Sequence, residues 1–120
     1  MKEPKNPLVQ VTEKTIKSML NLTAYELGLR IQRHGDKSFA SNAEGRGIID
    51  EEHDELGDAI KSNNNQEVIR EALDLAVGAL WLVATRIEKD HIPVCTCGHM
   101  HACADSDNCE CPGLKEGKSP

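Results

Sequence analysis

The chain has 120 residues, a mass of 13.2 kDa, and 20 acidic against 14 basic side chains, for a formal charge of −6. That length holds one domain with at most a small appendage, and the acidic balance argues against nucleic acid or an anionic membrane as a partner held by bulk electrostatics. Aromatic residues make up 2% of the chain, so the core must be aliphatic and thin, and further burial is expected against a second copy of the chain.

The first seven residues are polar, contain two prolines and do not read as a secretory leader. The longest nearly apolar stretch, Ala72 to Ala84, is too short to cross a bilayer. Both point to a cytoplasmic protein without a membrane partner.

Apolar spacing near 3.6 and the absence of β-type alternation give an all-α class, an antiparallel helical bundle occupying residues 1–91. A short helical stretch carries Ile16, Met19 and Leu20 on one face. Thr23-Ala24-Tyr25-Glu26 has the form of a capping box, with Leu22 and Leu27 as a hydrophobic staple, and predicts a new helix that turns Leu27 and Ile31 inward and ends near His34-Gly35. Gly35 to Gly47 reads as a loop carrying Lys37, Ser38 and Arg46. Ser41-Asn42-Ala43-Glu44 repeats the capping-box form, so the next helix is expected from about Ala43 to Ser62. Asn63 to Asn65 break the chain, and Asn64-Asn65-Gln66-Glu67 opens a last helix reaching about Lys89.

Two of these helices carry acids where apolar residues are expected. On a wheel at about 100° per residue, Ile48, Ile49, Leu56, Ala59 and Ile60 form an apolar arc, with Glu52 inside it and Glu55 at its edge. Glu51, Asp54 and Asp58 point away and read as a solvated face, and His53 reads as solvated beside them. A carboxylate on a buried stripe costs several kcal/mol unless paired, and no Lys or Arg lies within a helical turn of Glu52. Glu71 and Asp74 repeat the pattern on a helix that looks buried nearly all round. Antiparallel packing lets the two pairs face each other. Four convergent carboxylates raise one another's pKa, and a hard divalent cation, Mg²⁺ with Mn²⁺ as an alternative, relieves the conflict.

Glu52-x-x-Glu55, fifteen residues, then Glu71-x-x-Asp74 resembles the E-x-x-E…E-x-x-D signature of the MazG-like all-α nucleoside triphosphate pyrophosphatases, as do the surrounding words from about Tyr25 to Arg86. The resemblance implies that Glu52, Glu55, Glu71 and Asp74 bind Mg²⁺, that the substrate is a nucleoside triphosphate cleaved to monophosphate and pyrophosphate, and that the protein is a homodimer or homotetramer. Glu52 or Glu55 is then the proton acceptor for the attacking water. Where the family often places Asn, Lys or Arg one to three turns after the final Asp, this chain offers Gly78, Trp81, Leu82 and Thr85, with Arg86 only at the end. Lys37, Arg46, Lys61 and Arg70 are the candidates to supply positive charge instead, as substrate-binding residues. Trp81 and Tyr25 are read as core residues before base-stacking ones. The competing reading is a catalytically idle protein that binds or sequesters a nucleotide.

Residues 92–120 differ in kind. Five cysteines and two histidines fall between Cys95 and Cys111, with no helical periodicity. Zinc needs four such ligands. The candidates are Cys95, Cys97, Cys109 and Cys111, with His99 or His101 as substitutes, in a small irregular tail that staples the domain or recruits a partner.

Overall fold

The computed structural model describes residues 8–94, which form three helices: α1 (Glu13–Arg33), α2 (Asn42–Lys61) and α3 (Asn65–Asp90). The all-α class is as the sequence predicts. The proposed zinc ligands, Cys95, Cys97, His99, His101, Cys109 and Cys111, lie outside the described residues. No helix among the described residues is long and apolar enough to cross a membrane.

α1 is one helix, which corrects the predicted start at Thr23. Its N-cap is Thr12, whose side chain accepts from the Thr15 amide. Thr23 is buried in mid-helix, and its hydroxyl donates to the Met19 carbonyl at 2.7 Å. A Ser or Thr hydroxyl can turn back onto the i−4 carbonyl as well as cap a helix, so the capping-box pattern alone does not locate an end. The C-terminus falls where predicted: His34 is the C-cap, and Gly35 takes φ +73°.

α2 begins at the predicted capping box, with Ser41 Oγ accepting from the Glu44 amide and Glu44 Oε1 accepting from the Ala40 amide. Arg46 is therefore a helical residue, not a loop residue, and it pairs with Asp50 one turn on. The asparagine turn is built as expected. Asn63 takes φ +57°, which asparagine tolerates, and Asn64 Oδ1 accepts from the Glu67 amide.

The described residues divide into two units, one ending at Leu82 and the other beginning at Val83. In the first, α2 and α3 run antiparallel, as three contacts in register show. A Cβ on Gly45 would meet Leu82 at 2.9 Å, one on Gly78 would meet Ile48 at 3.6 Å, and Glu71 approaches Glu52 and Glu55. α1 runs parallel to α3, since Arg30 pairs with Asp74 while His34 stacks on Trp81, seven residues further along. The buried apolar residues are Phe39, Ala59, Val77 and Trp81. Phe39 lies 4.4 Å from the Trp81 ring, and the Trp81 indole donates to the Lys37 carbonyl at 3.1 Å. Gly45 is required here, because a Cβ would also sit 2.9 Å from the Phe39 ring.

Three burial expectations are corrected. Ile60 is 54% exposed, Tyr25 is 63% exposed and outside the core, and α3 is not covered all round: Ile69, Ala72, Ala76 and Leu80 form an exposed stripe. The wheel ranks positions by their neighbours in one helix, and three helices do not cover every face of each other. In the second unit, α3 continues through the buried Thr85 and an Arg86–Asp90 ion pair. The chain then leaves the helix with His91 at φ +53° and the Ile92 amide bonded to the Ile87 carbonyl.

Candidate metal centre

Glu52 and Glu55 are one turn apart on α2, and Glu71 comes from the second turn of α3 across the antiparallel contact. One oxygen from each lies within 4.8 Å of the other two. Glu52 and Glu71 are partly buried and Glu55 is exposed, so the cluster sits at the edge of the helix contact, open to solvent on one side. Glu51, Asp54 and Asp58 are solvated as predicted. His53 is exposed, 3.8 Å from Asp54.

The cluster is electrostatically strained. Burial first, then the charges of Glu55 and Asp74, hold the Glu52 carboxyl above its ordinary value of 4.5, against the opposing pull of Arg30. Glu71 is also raised, first because a hydrogen bond to Glu55 favours its protonated form, then by burial and by the charges of Glu55, Asp74 and Glu52. Oε2 of Glu52 and Oε2 of Glu71 are buried without a hydrogen-bond partner. Buried carboxylate oxygens lacking donors are costly.

Asp74 stands apart from the three. It is one turn beyond Glu71 on α3, but its Oδ1 accepts from Arg30 Nη2 at 3.1 Å. Arg30 answers the question left by the local sequence, because the positive charge facing these acids comes from α1. It lies on the stripe that carries Leu27 and Ile31, so the argument that singles out Glu52, a charge among inward apolar positions, applies equally to Arg30. No family model, curated protein or solved structure matches this chain.

The four predicted substrate cations are not gathered at the cluster. Arg46 pairs with Asp50 and Arg70 with Glu67. Arg70 lines, with Asp74, a groove of about 520 Å³ between α1 and α3. Lys37 is exposed between α1 and α2, and Lys61 is exposed at the last turn of α2.

The donor set suits a hard cation. Ligand oxygens on an octahedral Mg²⁺ stand about 3 Å apart in cis and about 4.2 Å apart in trans, from metal–oxygen distances of about 2.1 Å. One oxygen from each of the three carboxylates lies within 4.8 Å of the other two, close to that range. A cation would give the two orphan oxygens a partner and remove the mutual repulsion. With three protein ligands, positions stay open for water or phosphate oxygens.

Proposed function

We propose that the protein is a magnesium-dependent nucleoside triphosphate pyrophosphohydrolase, similar to the MazG-like superfamily, that releases pyrophosphate and a nucleoside monophosphate in clearing nucleotides from the pool. The observation that carries this reading is the convergence of Glu52, Glu55 and Glu71, two of them with buried oxygens lacking a partner. Glu52, Glu55 and Glu71, with Asp74 as the fourth ligand, would hold the metal, which would neutralise the triphosphate and lower the pKa of a water. Glu52 or Glu55 accepts the proton of the attacking water. The open side of the cluster admits the triphosphate. The exposed Ile69 and Leu80 on α3 and Leu20 on α1 support a homodimer or homotetramer, in which a second copy covers these faces.

Pyrophosphate release from a panel of canonical and modified NTPs and dNTPs, with Mg²⁺ and with EDTA, tests the proposal. Turnover that requires Mg²⁺ and is lost in Glu52→Gln and Asp74→Asn is expected. Full activity in Glu52→Gln removes the assignment. One observation favours the alternative of an idle nucleotide-binding protein: Arg46 and Arg70 are engaged with other carboxylates rather than facing the acidic cluster. Saturable nucleotide binding with no turnover on any member of the panel would establish that reading.

A further inference from the structure

Arg30 has a place in the site that its present contact does not exhaust. A guanidinium offers five N–H donors in a planar fork. Among the described residues, the hydrogen bond Arg30 makes is the one to Asp74. Its side chain is 24% exposed and that of Asp74 30%, so the pair lies at the solvent margin of the acidic cluster and can open without unpacking the core. Asp74 shares its helix face with Glu71 one turn away, yet among the described residues the acids that converge are Glu52, Glu55 and Glu71. The fourth carboxylate is instead held on Arg30 by its Oδ1.

We infer that Arg30 is the phosphate-binding cation of this site, held by Asp74 until a divalent cation recruits that carboxylate, and then free to take the terminal phosphates of a phosphoanhydride. The inference rests on reading the cluster as a metal site, and it adds the residue that recognises the anion. With a divalent cation bound, Asp74 would turn to Glu71 and Arg30 would lose its carboxylate partner. The freed guanidinium would then stand at the margin of the acidic cluster and could bind the phosphate oxygens of a pyrophosphate group. Two parallel N–H···O bonds to a phosphate suit this planar group better than a lysine ammonium. Arg30 is preferred to the other cations by position: its charge acts on Glu52, whereas Arg46 pairs with Asp50 and Arg70 with Glu67 within their own helices, and Lys37 and Lys61 are exposed on other segments.

Calorimetric titration of the full chain, first with MgCl₂ and then with inorganic pyrophosphate in saturating Mg²⁺, tests this on wild type, Arg30→Gln and Arg30→Lys. Arg30→Gln is expected to bind Mg²⁺ as tightly as wild type or more tightly, because Asp74 is released, and to lose tenfold or more in pyrophosphate affinity. Arg30→Lys keeps a charge against Asp74, so it serves if Arg30→Gln fails to fold, and it is expected to lose pyrophosphate affinity while keeping Mg²⁺ affinity. Wild-type pyrophosphate affinity in either variant overturns the inference. So does a parallel loss of Mg²⁺ and pyrophosphate binding, which would make Arg30 a clamp that positions Asp74. A wild-type protein that binds no Mg²⁺ removes the metal-site reading itself, a result distinct from the other two.

Discussion

Replacing Glu52 with Gln should have opposite effects on stability without and with magnesium. One carboxylate oxygen of Glu52 lies within 4.8 Å of one of Glu55, and two like charges at that limit repel by about 0.9 kcal/mol in bulk water and about 3.5 kcal/mol at an effective dielectric of about 20. Glu55 is exposed, so its repulsion with the partly buried Glu52 lies nearer the lower value. Glutamine removes that charge at nearly constant volume, and its amide can donate to the neighbouring carboxylates. The metal-free variant should therefore be more stable than wild type by about 1–2 kcal/mol, and each kcal/mol moves the melting temperature of a domain this size by about 4–8 °C. At 100 times its Kd, Mg²⁺ adds about 2.7 kcal/mol to wild type, and the variant should lose most of that increment. Thermal unfolding followed by circular dichroism in EDTA and in Mg²⁺ gives the comparison. The order of the two proteins should invert between the two buffers. A variant less stable than wild type in EDTA would show that the carboxylate makes a needed structural contact, and an equal Mg²⁺ increment in both would show that it is not a ligand.

Other consequences follow from the same structure. Glu52 and Glu71 have folded-state pKa values above the 4.5 of the unfolded chain, so the folded state binds protons more tightly and the associated stability is complete below about pH 4.5. Metal-free protein should lose that stability as the pH rises through the higher folded values. The loss should shrink in Mg²⁺ and in Glu52→Gln, as denaturant titrations at several pH values would detect. Gly45→Ala should destabilise by about 1–3 kcal/mol, because the new methyl meets the buried Phe39 ring at 2.9 Å. Gly57→Ala, in open space on the same helix, should stabilise by up to about 1 kcal/mol; equal melting temperatures for the two variants would contradict the packing. Trp81→Phe should cost about 1–3 kcal/mol through the lost packing and the Lys37 carbonyl left without its donor, with urea unfolding as the assay.

The helix class, the break at Asn63 to Asn65, the Ser41 cap and the end of α1 at His34-Gly35 were all legible in the sequence, because each is fixed by a short-range rule of period, cap or turn. The anomaly of Glu52 and Asp74, with Glu71 one turn before Asp74 on the same face, was legible for the same reason, since helix periodicity alone places a charge on an apolar stripe. What crossed between helices was not. Thr23 satisfies its hydroxyl on the i−4 carbonyl of a helix that simply continues, and no local pattern separates that from a cap. Ile60, Tyr25 and the outer face of α3 are exposed because only the packing of three helices decides which apolar faces find a cover. The approach of Glu71 to Glu52 and Glu55 depends on the register of α2 against α3, in which Gly45 lies close against Leu82 and Gly78 faces Ile48 and Ile49. The engagement of Asp74 by Arg30 joins residues 44 positions apart. Local chemistry thus determined which residues were anomalous, whereas the partner of each was decided by tertiary structure, because a charge interacts across space and periodicity describes only one helix.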